Sequence, residues 1–216
     1  SVNASEIDRI AKSFDSKWQR HYVASKLRTD PVYQAITPLL EESPLPILDI
    51  GCGLGLLALH LRASGVKAPI LGVDYDAPKI ASARKTAAKL GVSNVEFRAN
   101  DVQGGLPDHE GNVCLLDVLQ FLTPEDQQEL LTEAARRVPA GGLFIIRSGL
   151  RDASMRFKIT VAGDLLARAT LWMKAAPRHY PVREDFVRIL SPFGKVEIIP
   201  LWGNTPFNNH LITLRR

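Results

Sequence analysis

The residues best equipped for chemistry lie in one short stretch, Leu48-Asp49-Ile50-Gly51-Cys52-Gly53-Leu54-Gly55. It joins an apolar run, Pro46 to Ile50, to a segment with helical spacing, Leu56 to Ser64. Glycines between a strand and a helix let backbone N–H groups approach a ligand at the positive end of the helix. A dinucleotide loop needs G-x-G-x-x-G; here the third glycine comes one residue early and Leu56 takes its place. Asp49 also puts a carboxylate where a pyrophosphate would sit, which repels an anion and suits a ligand carrying an ammonium group. The plainer alternative is a tight strand–helix turn with no ligand. Against it stand two further acids in matching places: Asp74 ends the next apolar run and Asp101 follows the one after.

The elements that position these residues alternate along the chain. Strands are expected at 46–50, 70–74, 95–98, 113–116 and 143–147, with closing strands at 196–199 and 210–214. Between them, Asp76 caps a helix with Pro78 in its first turn and Gly91 at its end. Thr123-Pro124-Glu125-Asp126 starts another that runs to about Val138, and Glu184 to Leu190 is a short third. Near-continuous apolar strands alternating with helices imply a parallel sheet covered on both faces. Ligands of such sheets bind beyond the carboxyl ends of the strands, so the site is expected on the loops after Asp49, Asp74, Arg98 and Leu116. Two amphipathic helical pieces lie outside the alternation, Ser5 to about Leu40 and Ser154 to Met173, the latter with Phe157, Val161, Leu165 and Ala169 near one face.

The glycine loop followed by Asp74 resembles the class I S-adenosylmethionine-dependent methyltransferases, over about residues 45–148 and into the closing strands. The resemblance implies an α/β, Rossmann-like fold: a mostly parallel seven-stranded sheet with helices on both faces and an antiparallel C-terminal strand. It implies S-adenosyl-L-methionine as cofactor. Carried over, Asp49, Gly51, Cys52, Gly53 and Gly55 would hold the methionine part of the cofactor. Asp74 would accept hydrogen bonds from the ribose hydroxyls, Tyr75 would flank the adenine, and Asp101 with the N–H of Val102 would read the adenine edge. Asp117 to Leu122, including Gln120, would pass beside the sulfonium. Tyr75 as surface packing and Asp117 as a structural loop acid are the plainer alternatives. The Trp172-Met173-Lys174-Ala175 and Trp202-to-Asn209 stretches are also similar to methyltransferases of aryl polyene and polyketide-like pathways. One domain, 1–216, is expected: an N-terminal helical cover (1–40), a cofactor-binding core (45–148), a basic helical lid (151–183) and a closing helix and strands (184–216).

In methyl transfer the cofactor carries the reactivity, while the protein aligns the acceptor and removes a proton if the acceptor is a hydroxyl. Many small-molecule enzymes of this class have His where this sequence has Gln120, which can orient but cannot act as a base. The base candidates are therefore His21 and Tyr22 on the N-terminal helical piece, and His179 and Tyr180 after the basic segment; His210 is a further one. His60, on a helix, and His109, in a polar turn, are expected to be solvated. Trp202, Phe207 and the amides between them form either an acceptor pocket or an ordinary turn. No clustered carboxylates suggest a metal. The expected activity is O-methylation of a hydroxylated aromatic or polyketide/lipid-like small molecule. The segment after the fourth strand, Asp117-Val118-Leu119-Gln120, lacks the pattern that holds a planar amino group, which disfavours nucleic-acid or protein methylation. A non-catalytic module that only binds the cofactor is the other alternative.

Composition sets the remaining bounds. The chain has 216 residues, 45% hydrophobic and 23% charged, ordinary usage for a folded domain. Two cysteines, Cys52 and Cys114, exclude a disulfide scaffold or structural zinc site and suit a reduced, cytoplasmic setting. No apolar run is long enough to cross a membrane. Because the sequence opens on Ser1, an earlier segment could precede it. Net charge is +4, but residues 151–183 alone carry +5 and the rest −1. That local patch is too confined for a nucleic-acid grip. It points instead to an acceptor held on a carrier protein or at a membrane surface.

Overall fold

The computed structural model describes residues 2–169, 177 and 179–216. Trp172, Met173, Lys174, Ala175 and Arg178, all part of the expected lid, lie outside them. The chain divides into two compact units, Ser1–Asn112 and Val113–Arg216.

The first unit opens with three helices, α1 (Ala4–Lys12), α2 (Lys17–Thr29) and α3 (Val32–Glu41). The single helical stretch expected to residue 40 is thus broken twice. Ser16 stops the first run by capping α2, its side chain accepting from the Gln19 N–H. Asp30 precedes Pro31, and a residue before proline is pushed out of helical geometry. Phe14, in the first break, is fully buried. Then follow β1 (Ile47–Ile50), α4 (Leu56–Ala63), β2 (Ile70–Asp74), α5 (Ala77–Lys89) and β3 (Val95–Ala99). β2 is central, parallel to β1 with Ile50 beside Val73, and parallel to β3 with Asp74 beside Ala99. The carboxyl ends of all three strands therefore come out together.

His60 departs from the solvated histidine expected. It sits on α4 at 5% exposure, tilted against the Tyr33 ring at 5.3 Å. Thr37 Oγ1 donates its only proton to the Tyr33 carbonyl at 2.7 Å, so the His60 Nδ1 at 3.2 Å must be the donor to that hydroxyl. Burial pushes the imidazole pKa down to about 4. In the unfolded chain the ring would titrate near 6.5. The unfolded state therefore binds the extra proton between these values, and stability is lost as pH falls from about 6.5 toward 4, by on the order of 3 kcal/mol. His60→Phe should flatten that acid-side slope in urea titrations between pH 7 and 4.5. An unchanged slope would assign the acid sensitivity to other groups. His109 is likewise half-buried rather than solvated, its Nε2 lying 2.8 Å from the Asn112 carbonyl.

The second unit contains β4 (Asn112–Leu116, whose first residue closes the first unit), α6 (Pro124–Arg136), β5 (Leu143–Gly149), α7 (Met155–Ala169), α8 (Arg183–Leu190), β6 (Lys195–Pro200) and β7 (Asn209–Arg215). β4 runs parallel to β5, and β5 is buried along its whole length. β7 lies between β5 and β6 and is antiparallel to both. The seven strands follow the order β3-β2-β1-β4-β5-β7-β6. This is the mostly parallel α/β sheet with an antiparallel last strand that the sequence implies. Cys114 is core, fully buried in β4.

Candidate active site

In the first unit the site is built around the turn from β1 into α4. Gly51, Gly53 and Gly55 all take positive φ, at 74°, 54° and 76°. At Gly55 a side chain would also collide, since a Cβ would lie 2.5 Å from Phe97 Cζ on β3. At Gly53 the same construction meets nothing within 4 Å, so the backbone borders open space there. The Gly51 and Cys52 N–H groups both donate to the Val73 carbonyl, at 2.8 and 3.0 Å. Asp74 locks the next residue: its Oδ2 accepts from the Gly53 N–H at 2.9 Å and its Oδ1 from the Asp76 N–H at 2.8 Å. One carboxylate thus bridges the loop after β1 and the turn after β2. The Asp74 carbonyl also accepts from the Asn100 N–H at 2.9 Å, tying in the loop after β3.

Asp49 is 2% exposed, and no hydrogen bond reaches its carboxylate among the described residues. Burial, reinforced by the charge of Asp74, raises its pKa to about 7. Such a group is poised to ionise when a cation arrives beside it. Burial and the same two acids push the half-buried Cys52 thiol up, so Cys52 is no thiolate nucleophile. Tyr75 is 57% exposed. Asp101 is exposed and caps the turn of 3₁₀ helix at Val102–Gly104, its Oδ1 accepting from the Gln103 N–H at 3.0 Å. His21 is exposed on α2, and Tyr22 stacks on Trp18 with ring centroids 5.4 Å apart.

In the second unit the sequence-predicted residues gather after β4. Asp117 adopts φ 60°, unusual outside glycine, and its N–H donates to the Arg147 carbonyl at 3.0 Å. Its carboxylate takes both arms of the Arg147 guanidinium, with Nε 2.9 Å from Oδ1 and Nη2 on Oδ2. Arg147 is 3% exposed, so Asp117 is the counter-charge of a buried cation. The sequence hinted at Arg147 only by ending a run of apolar residues, Leu143 to Ile146, on a base. Gln120 is 8% exposed, and its Oε1 is a buried acceptor with no partner among the described residues. Its backbone is clamped: the Gln120 carbonyl accepts from the His179 N–H at 3.2 Å. Gln127 on α6, unmarked in sequence, donates through Nε2 to the carbonyls of Leu119 at 2.8 Å and His179 at 2.7 Å. The exposed His179 is therefore held beside Gln120.

Tyr180 points to α7, donating to Asp164 Oδ2 at 2.8 Å and meeting Phe157 edge-on at 5.2 Å. Burial and that acid raise its pKa, which makes it a reluctant base. His210 is 6% exposed, its Nδ1 3.0 Å from the Asn208 carbonyl, and burial lowers its pKa. Among the described residues, no group of three or more His, Cys, Asp or Glu is placed to hold a metal ion, and no helix is long and apolar enough to cross a membrane.

A family model described as a methyltransferase domain matches residues 47–142, which contain the glycine loop, Asp74, Asp101 and Asp117. Residues 47–142 are a methyltransferase domain, built on the class I S-adenosylmethionine-dependent fold. Carboxy-S-adenosyl-L-methionine synthase of Actinobacillus succinogenes is similar to the domain at 31% identity over 142 residues, 62% of this chain and 56% of that protein. The chain spans about half the length of the curated relatives it matches. Two solved structures share the fold of the methyltransferase domain. The pyocyanin biosynthetic protein PhzM aligns at TM-score 0.68 and 21% identity, covering 97% of this chain and 61% of that one. Magnesium protoporphyrin IX methyltransferase of Synechocystis PCC 6803, solved with bound SAH, aligns at TM-score 0.67 and 16% identity, covering 99% and 95%.

Proposed function

We propose that the chain transfers the methyl group of S-adenosylmethionine to a hydroxyl of a small aromatic or polyketide-like acceptor. The observation that carries the reading is the Asp74 carboxylate, which organises a glycine loop over a buried, unpartnered Asp49. The residues fit the cofactor: Gly53 leaves room for close approach, and Asp49 supplies an anion for the methionine ammonium. Asp74 and Tyr75 would serve the ribose and adenine, and Asp101 with the Val102 N–H the adenine edge. When bound, the sulfonium supplies an activated methyl group for in-line displacement. The protein's part is to place the acceptor oxygen and remove its proton. The Gln120 Oε1 would accept from a neighbouring hydroxyl or N–H of the acceptor molecule and so aim it, and His179, fixed to Gln120 through the backbone, would take the proton of the reacting hydroxyl. Both fold relatives are named for work on small molecules, pyocyanin biosynthesis and methylation of magnesium protoporphyrin IX, which supports this acceptor class.

The test is incubation with a panel of phenols and hydroxylated polyene acids, reading demethylated cofactor and product mass. His179→Ala should cost about 10²–10⁴ in turnover with cofactor affinity retained, and Gln120→Leu should raise KM. Cofactor binding without turnover on any acceptor would mean a binding module. A carboxylated cofactor among the products would mean synthase chemistry like that named for the Actinobacillus relative.

A further inference from the structure

Helix α7 makes its polar contacts on its inward face, beside Phe157 and Val161, and leaves its larger aliphatic side chains outside. Arg156 donates through Nη1 to the Thr205 carbonyl at 2.8 Å and lies 4.3 Å above the Trp202 ring. Thr160, the buried residue of the helix, accepts from the Asn208 N–H at 2.8 Å, and Asp164 accepts from the Tyr180 hydroxyl. Gly163 faces Phe207, where a Cβ would come within 3.0 Å. The outward face is apolar: Met155, Ile159, Leu165 and Leu166 are 66%, 37%, 52% and 67% exposed. At helical spacing Met155, Ile159, Ala162 and Leu166 share one stripe about 17 Å long, with Lys158 and Leu165 along its flank. A soluble surface helix normally turns this face to the core. So large an exposed stripe marks an interaction surface.

The exposed charges here that no hydrogen bond engages are of one sign, with Lys158 flanking the stripe and Arg168 in the last turn of the helix. Lys158 and Arg168 are exposed, as is Arg151 just before the helix, and no carboxylate pairs with them among the described residues. The two acids of the neighbourhood are occupied: Asp164 by Tyr180, and Asp152 by the Ser154 N–H and the Asn208 amide, each at 2.8 Å. We propose that α7 docks the protein on an anionic lipid surface. Its apolar stripe would enter the boundary between headgroups and acyl chains, and Lys158, Arg168 and Arg151 would meet the headgroups. A second copy of the chain fits less well, because pairing the stripes would bring like charges together. A soluble acidic carrier would answer the cations but leave a long, shallow apolar stripe in water. The inference rests on α7 alone and stands whether or not the methyl-transfer reading holds.

Co-sedimentation of the intact chain with vesicles tests it. Vesicles of phosphatidylcholine containing about one third phosphatidylglycerol should bind the protein at least about tenfold more tightly than phosphatidylcholine alone, the preference fading as salt rises. Leu165→Asp with Leu166→Asp should abolish binding to both, with thermal unfolding unchanged because both side chains already face water. Lys158→Glu with Arg168→Glu should remove the anionic preference and leave the apolar face intact. The proposal is overturned if the wild type stays in the supernatant at low salt, or if neither variant pair alters sedimentation. It is equally overturned if ultracentrifugation shows a dimer that the Leu165/Leu166 pair dissolves, or if purified acyl carrier protein binds at this face while vesicles do not.

Discussion

Asp74→Ala is expected to weaken S-adenosylmethionine binding at least about tenfold, corresponding to about 1.5 kcal/mol or more. The carboxylate has two duties in the reading above. It would receive ribose hydroxyls, and it already holds the N–H groups of Gly53 and Asp76, so alanine removes the ligand contact and loosens the loop together. Asp74→Asn should rescue little, because an amide turns N–H toward one of two backbone N–H groups that need an acceptor. A second signature separates this role from general loosening. Asp49 titrates near 7 partly because Asp74 is charged beside it, so in the wild type affinity for a cation-bearing ligand should strengthen from pH 6 to 8 as Asp49 ionises. Without Asp74 the Asp49 pKa falls, and the rise in affinity should shift to lower pH. Calorimetry across that range reads both effects. Wild-type affinity in Asp74→Ala would remove the cofactor assignment from this loop.

The largest effect on stability is expected at Asp117. Asp117→Ala strips a buried guanidinium of its counter-charge, a change that typically costs about 3–5 kcal/mol. In a chain of this size that lowers the melting temperature by about 10 °C or more. Arg147→Met should cost less, because the carboxylate it abandons lies at 36% exposure and water can serve it. The double variant should recover part of the Asp117→Ala loss, the coupling expected of groups in direct contact. Asp117→Asn tolerates the left-handed backbone but gives up the charge and should fall between wild type and alanine. A melting temperature for Asp117→Ala within a degree of wild type would show that Arg147 is held by its other contacts.

The first half of the site was legible because its determinants are contiguous. Strand 70–74 is read to the residue, since the Asp76 cap and Pro78 leave the chain no freedom after it. The glycine spacing announces a backbone conformation that other residues resist. The pairs that organise the second half, Asp117 with Arg147 and Gln127 with His179, span 30 and 52 positions, and nothing in local pattern records a tertiary partner. His60 misled for a related reason. A helix buried on nearly all sides carries its histidine inside, and a lone polar letter among leucines does not reveal whether a threonine waits for it. In α7 the sequence marked the face of Phe157, Val161 and Leu165, but Phe157 turns in against Tyr180 and the exposed stripe runs through Met155, Ile159 and Leu166, a division that periodicity alone does not make. Only the polar grip of Arg156, Thr160 and Asp164 shows that the stripe is turned outward.

The position of β7 has a consequence for biosynthesis. β6 pairs with β7 and not with β5, so when β6 leaves the ribosome its place in the sheet does not yet exist. Until Asn209–Arg215 is made, β5 offers a seven-residue open edge, and the nascent chain carries two unsatisfied strands at once. The parallel triplet β3-β2-β1 has no such wait, since all its strands are complete by Ala99. Folding on the ribosome should therefore proceed from the glycine-loop half outward, with β7 acting as a wedge that closes the other half in one step. Over that interval the β5 edge is open to edge-to-edge pairing with another chain.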